Sequence, residues 1–199
     1  MIVTKIEPLG KGRLRFFLDG EIGFVLYRGE ASRLGLTEGS EVSQALYEEI
    51  LRDILLKRAK LRCMNILKAM DKTEWQLRTK LRQGDYPERV IDSAIDYVKS
   101  FHYVDDVRYA RSYIESRAQS RSIRQITWEL KNKGISEEDI DAAFAESEFA
   151  SEEQAIERLV QKKKMNPENA SPEELRKYYA FFMRKGFSYS AIRKVLKAE

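Results

Sequence analysis

The sequence predicts a mainly α fold: three tandem three-helix repeats in an elongated curved array, preceded by a small β-rich N-terminal lobe. Three observations point there. The apolar pattern is β-like over residues 1–28 and helical from Ser43 onward. Only four prolines and a charged fraction of 34% favour long amphipathic helices. The chain also repeats itself at a spacing of about 50 residues, the mark of a repeat architecture.

The lobe comes first, over 1–42. Short apolar runs punctuated by Gly10, Gly12, Asp19-Gly20 and Gly23 predict strands near 2–7, 13–18 and 22–27. Asp19-Gly20 is a strong two-residue hairpin signal, and Gly-Lys-Gly at 10–12 reads as a turn, not a phosphate loop. A short helix at 29–34 stops at Gly35. A connecting helix over 43–56 leads into the repeats, with Leu46, Ile50, Ile54, Leu55, Leu61, Ile66 and Leu67 on one inward stripe. Gly84, Gly134 and Gly186 are expected to stop helices, and Pro87 and Pro172 to open them. Ser136 with Asp139 and Ser171 with Glu174 fit capping-box starts. Residues 165–171 read as a slack linker.

The repeat is visible when residues 81–95 are laid over 130–144 and 182–196. Apolar positions recur as Leu81/Leu130/Phe182, Tyr86/Ile135/Phe187, Ile91/Ile140/Ile192 and Ile95/Phe144/Leu196, with Leu77/Ile126/Tyr178 upstream. The expected units are 57–101, 102–149 and 150–199. Each holds a longer helix, a second helix, a tight turn and a third helix. Such units expose apolar ends that stacking neighbours cover.

Composition narrows the chemistry. One histidine, His102, and one cysteine, Cys63, do not build the usual zinc site. No phosphate-loop, dinucleotide-binding or nucleophile-elbow motif occurs. No catalytic residues, cofactor or metal are therefore expected, and a carboxylate-dependent hydrolase has no constellation behind it. A single cysteine fits a reducing compartment. With neither a membrane-length apolar run nor a signal-peptide pattern at the start, a cytoplasmic protein is expected.

The stretch FHYVDDVRYARSYIESR (101–117) resembles the signature G-Y-[LV]-[DN]-D-x-x-[YF]-A-x-x-[YF]-[VI]-x-x-R of the RecX regulators of the recombinase RecA. Phe101-His102 stands where many members carry other residues. WELKNKGI (128–135) and FMRKGFSYSAIRKVL (182–196) are similar to the family's second and third motifs. The resemblance spans about 57–199, and the lobe resembles the extension of longer members. It implies a non-enzymatic protein of recombinational DNA repair and the SOS response. Such a protein binds RecA and the RecA–DNA filament and inhibits recombinase and ATPase activity. It also implies weak direct DNA binding, single- or double-stranded, with no membrane partner, and a monomer is expected.

Tyr103, Asp105, Asp106, Tyr109, Ala110, Gly134, Gly186 and Phe187 then form a structural signature. Asp105 and Asp106 are expected to cap a helix rather than form a site, and Tyr109 and Ala110 to face the repeat core. Core or inter-repeat packing is the expectation for Trp75 and Trp128.

The net charge of +4 hides segregation: basic against acidic side chains run 7 to 9 over 1–56, 11 to 6 over 57–100, 7 to 4 over 101–135, 0 to 6 over 136–150 and 11 to 7 over 151–199. Helical spacing groups the cations: Arg117, Arg121 and Arg124, extended towards Lys131 and Lys133; Arg58 with Arg62; Arg78 with Arg82; Arg184-Lys185 leading to Arg193 and Lys197. These are the candidate filament- and DNA-contacting residues, able to meet phosphates or an acidic protein surface. An autonomous helix–turn–helix transcriptional regulator is the alternative. It fits less well, because the helices after the turns start with acidic residues such as Glu88 and Glu137-Glu138, which face phosphates badly.

Overall fold

The computed structural model describes residues 1–147 and 151–196, so Lys197 lies outside the described residues, as do the expected repeat boundaries at 149 and 150. Two compact units emerge, Met1–Val104 and Asp105–Glu199.

The first unit opens with an antiparallel sheet in the order β1 (Val3–Gly10), β2 (Arg13–Leu18), β3 (Glu21–Tyr27). Both turns use left-handed backbone: φ is +75°, +53° and +72° across Gly10-Lys11-Gly12, and +50° and +92° across Asp19-Gly20. Positive φ at both central residues gives the hairpin the twist its strands need. Register shifts at Gly23, and a β-carbon there would sit 2.6 Å from Leu18 Cγ. Leu18 can therefore fill the core only over a glycine. Helix α1 (Arg28–Arg33) ends at Gly35, φ +65°, and residues 39–42 return to pair with the start of β1.

Helix α2 (Gln44–Glu49) runs through a π-helical segment, Ile50–Leu56, into α3 (Lys57–Ala69). A π turn advances the buried face by about one residue relative to an α-helix. The core face accordingly passes from Ile50 to Leu55, Ala59 and Cys63, and Leu61 is left 62% exposed. The expected stripe was wrong at that residue for this reason. Burial pushes the Cys63 thiol up to about 11, so it packs as an inert apolar group at neutral pH.

Lobe and first repeat share one core, running from Val3, Phe16 and Phe24 through Leu55 and Ala59 to Leu81, Ile91 and Val98. Arg58 bolts them together. Its guanidinium donates to Glu30 Oε1 at 2.6 Å and to the Val25 carbonyl at 3.0 Å, and lies 4.7 Å from the Tyr27 ring centroid. Removing one partner of a largely buried pair leaves the other uncompensated. Arg58→Ala is expected to destabilise this unit by about 2–3 kcal/mol, read as a lowered urea midpoint.

Three structural repeats follow one plan. Their first helices are α3, α6 (Asp106–Arg117) and α9 (Glu152–Lys162); their second helices are α4 (Glu74–Arg82), α7 (Ile123–Lys131) and α10 (Pro172–Arg184). The third helices are α5 (Glu88–Ser100), α8 (Glu137–Glu146) and α11 (Tyr189–Leu196). The recurring apolar positions are core: Leu81, Leu130, Phe182, Ile91 and Ile192 are fully buried, as are Leu77 and Ile126. Each second helix is capped by a hydroxyl, Thr73, Ser122 or Ser171, and ends in one left-handed residue: Asp85 (φ +54°), Gly134 (+80°) or Gly186 (+81°). The N–H of the next residue, Tyr86, Ile135 or Phe187, then returns to the carbonyl of Leu81, Leu130 or Phe182.

Several expected details shift. Gly84 is not the left-handed stop; Asp85 is, and Gly84 instead clears room for the Tyr86 ring, whose Cε2 would lie 2.9 Å from an added β-carbon. Pro172 opens α10 as expected, whereas Pro87 is the cap residue one position before α5. Ser171–Glu174 is a complete capping box, and so is Thr73–Gln76; Ser136 takes the Asp139 N–H without a full box, because the Asp139 carboxylate accepts from the Ser136 hydroxyl at 2.7 Å and not from its backbone N–H. The 165–171 segment carries a single 3-10 turn, Pro167–Asn169.

Asp105 caps α6, its Oδ1 accepting from the Arg108 N–H at 2.8 Å. Just before it, His102 holds φ +54°, at the position of the signature's glycine. A left-handed conformation costs a residue with a β-carbon roughly 1 kcal/mol. His102→Gly is therefore expected to stabilise the first unit by about 0.5–1 kcal/mol, seen as a higher unfolding midpoint.

Candidate partner-contact face

The thirteen candidate cations have different fates. In the first unit three of four are tied up internally. Arg58 is the bolt described above; Arg78 binds Glu74 at 2.8 Å and Asp92 at 2.6 Å; Arg82 binds both oxygens of Glu88 at 2.7 and 2.9 Å. Arg62 has no ion pair among the described residues.

In the second unit the expected Arg117–Arg121–Arg124 stripe does not lie on one helix. Helix α6 ends at Arg117 and α7 begins at Ile123, because Ser122 turns its hydroxyl onto the Gln125 N–H at 3.2 Å and caps the new helix. Arg117 lies on α6, its guanidinium 5.4 Å from the Tyr113 ring centroid, and Lys133 lies 5.2 Å from the same ring and 5.9 Å from Tyr109. Both tyrosines pack on the repeat core, as expected for Tyr109, with Ala110 fully buried beside them. The Tyr113 hydroxyl donates to Glu129 at 2.7 Å, and Arg121 meets the other oxygen of that carboxylate at 3.2 Å. Burial, then the bond to Glu129 and its charge, raise the Tyr113 phenol above its ordinary value, so it stays a neutral donor. Arg121 is thereby held inward.

Arg124 is different. Ser122 Oγ also donates to the Lys185 carbonyl at 2.8 Å, which brings the start of α7 against the end of α10. A β-carbon at Gly186 would lie 3.6 Å from both Cβ and Cδ of Arg124. Arg124, Lys185 and the adjoining Arg184 thus belong to one surface, although 60 residues separate Arg124 from Arg184 in sequence. Arg124, Arg184 and Arg193 are exposed without an ion pair among the described residues, and Lys185 lies 5.4 Å from the Phe181 ring centroid. Below this junction Glu152, at the start of α9, accepts from the Ile123 N–H at 3.3 Å and the Ser188 N–H at 3.0 Å. Its carboxylate answers the positive ends of α7 and α11.

The residue missed by sequence reasoning is Trp128. It was assigned to packing, yet it is 65% exposed; Trp75 likewise is 49% exposed. Trp128 follows Arg124 by one turn of α7 and precedes Lys131 by three residues, so the three share one helical face. Lys131 meets Glu137 at 3.0 Å, but both side chains are exposed and such a pair holds a lysine only weakly. An exposed indole between two cations is the composition of a contact hot spot, for protein or for nucleic acid. The opposed charge lies on α8, whose first turn carries Glu137, Glu138 and Asp139. Among the described residues no helix is long and apolar enough to cross a membrane.

Comparison with known proteins agrees with this arrangement of repeats. Family models for the first, second and third three-helix domains of RecX match residues 59–97, 105–144 and 151–196. The chain is similar to the regulatory protein RecX of Caldanaerobacter subterraneus, 31% identical over 200 residues and covering 98% of each chain. The regulatory protein RecX of Clostridium acetobutylicum is 29% identical over 202 residues, covering 98% of this chain and 94% of that one. A crystal structure of regulatory protein RecX superposes with a TM-score of 0.65 at 25% identity, over 100% of this chain and 99% of that one. RecX from Lactobacillus salivarius shares the fold, with a TM-score of 0.62 at 20% identity over 72% of this chain and 95% of the other. The left-handed residues that end the second helices, the hydroxyl caps that start them and the repeated buried positions all fall within the matched segments, and the chain belongs to the RecX family.

Proposed function

We propose that the protein regulates RecA by binding RecA and its nucleoprotein filament, and that it limits recombinase and ATPase activity without catalysing a reaction of its own. Membership in a family of regulatory proteins supports the regulatory role, and the family's relation to RecA supports the partner. The observation that carries the mode of action is the α7 face, where Trp128 stands exposed between Arg124 and Lys131, and where the start of the helix adjoins Lys185 and Gly186 through Ser122 and Arg124. A filament of protein wrapped on DNA presents acidic side chains and phosphates, and this face answers both. The tandem repeats supply rigid helices on which to mount it. Direct DNA binding is weak in this reading, because Arg78, Arg82 and Arg121 are neutralised within the chain. The protein acts in the cytoplasm as a monomer.

Co-sedimentation with RecA filaments assembled on single-stranded DNA tests the partner. The protein is expected to pellet with filaments, and far less with the same DNA lacking RecA. Equal recovery on bare DNA would transfer the function to autonomous DNA binding.

A further inference from the structure

Inside the first unit a cavity of about 40 Å³ lies where β2 and β3 meet α3 and the turn after α4. At roughly 10–15 Å³ per water, it has room for about three or four waters, or for one tetrahedral oxyanion. Arg13, Tyr27, Arg58, Arg62, Asp85 and Tyr86 supply its polar side chains. The one lining carboxylate is already satisfied: Asp85 accepts from Arg15 Nε at 3.1 Å and from a terminal nitrogen of the same guanidinium at 2.6 Å. Arg58 is turned to Glu30 and Val25. Arg13 and Arg62 have no ion pair, and the Tyr86 hydroxyl no hydrogen-bond partner, among the described residues. Burial holds the Tyr86 phenol above its ordinary value against the pull of Arg58 and Arg62, so it remains an O–H donor at neutral pH. Its ring reaches this position only because Gly84 has no side chain, an added β-carbon meeting Cε2 at 2.9 Å and Cδ2 at 3.1 Å. Two guanidiniums without an ion pair and a hydroxyl without a hydrogen-bond partner, among the described residues, thus line one small pocket, Arg62 exposed and Arg13 and Tyr86 half-buried, so positive charge and an O–H donor converge where an anion can enter.

We propose that this cavity is an oxyanion site for one phosphate group, with Arg13 and Arg62 as its charged arms and Tyr86 as its hydroxyl donor. The planar guanidinium fork suits phosphate oxygens. The site belongs to the lobe and first repeat, and it does not depend on the RecA reading. A backbone phosphate of nucleic acid and free phosphate are chemically alike here, so the test uses both.

The full-length chain is titrated with a fluorescein-labelled oligothymidylate by anisotropy, and separately with inorganic phosphate while the thermal midpoint is followed. The double variant Arg13→Gln, Arg62→Gln removes the arms. Arg28→Gln, Arg33→Gln removes the same charge from exposed positions of the same lobe. If backbone phosphate is the ligand, the first variant loses about tenfold in oligonucleotide affinity, and its salt slope shrinks by about 0.7, the value for one single-stranded phosphate. The control changes less than twofold. If free phosphate is the ligand, phosphate alone raises the wild-type midpoint saturably, and the first variant abolishes that rise. Tyr86→Phe weakens whichever response is seen about threefold. The proposal is overturned if neither probe separates the first variant from wild type, or if the control loses as much.

Discussion

Trp128→Ala is expected to weaken binding to the RecA–DNA filament about thirtyfold while leaving the fold unchanged. The magnitude follows from the side chain: an exposed indole that becomes buried at a protein contact contributes about 2 kcal/mol on truncation, and 1.4 kcal/mol is tenfold in affinity. The fold is spared because Trp128 is 65% exposed and its side chain has no hydrogen bond or ring contact among the described residues, so its removal should alter stability by less than about 0.5 kcal/mol. Arg124→Gln should add a further loss of several-fold, because the two side chains lie one turn apart on α7. Arg121→Glu is a poorer probe. It would set a second carboxylate against Glu129, which Arg121 now neutralises at 3.2 Å, and the resulting loss would mix stability with binding. Fluorescence anisotropy on labelled filaments reads the Trp128 effect; undiminished binding would remove the α7 face from the contact.

Gly186→Ala should destabilise the second unit by about 3 kcal/mol. Two costs combine. The residue sits at φ +81°, where a β-carbon costs roughly 1–2 kcal/mol. The new methyl would also lie 3.0 Å from Ser122 Oγ, the atom that donates to the Lys185 carbonyl and accepts from Gln125. Ser122 is fully buried, so a displaced hydroxyl loses its hydrogen bonds without gaining water. The single tryptophan in each unit makes the test clean: with Trp75→Phe in the background, Trp128 emission reports the second unit alone during urea unfolding. Gly84→Ala is the informative contrast. Its backbone carries no left-handed strain, and the added methyl meets the Tyr86 ring at 2.9 Å and the Leu81 carbonyl oxygen at 3.2 Å, so a smaller loss confined to the first unit is expected.

Much of the fold was legible because the sequence states it three times. Leu81, Leu130 and Phe182, and the isoleucines at 91, 140 and 192, occupy the same buried places in successive repeats. The hairpin at Asp19-Gly20 and the cap at Asp105 followed from local chemistry that tertiary structure had no reason to override. The misses have physical causes. No residue type announces a π turn, so the advance that exposes Leu61 and buries Cys63 was invisible. Glycine habit favoured Gly84 as a stop, although the repeat alignment already placed Asp85 opposite Gly134 and Gly186. The arginine stripe was broken by Ser122, and the signal for that break was available: Thr73, Ser122 and Ser171 recur every 49 residues, each three before a Gln or Glu.

The site was less legible than the fold. Counting cations finds basic helices, but only coordinates distinguish Arg78, held between Glu74 and Asp92, from Arg124, which is exposed beside Gly186. Trp128 failed the opposite way, since a large apolar residue on an amphipathic helix is ordinarily core. Its spacing from Arg124 and Lys131 was the available clue.

The central claim is that the protein restrains RecA through a folded contact rather than through chemistry of its own. ATP hydrolysis by RecA on preformed single-stranded-DNA filaments, measured across a titration at moderate salt, tests it most directly. Wild-type protein should lower the rate in proportion to occupancy, and the Arg124→Gln, Trp128→Ala variant should need more than tenfold the concentration for the same effect. An unchanged rate across the whole wild-type titration would contradict the account.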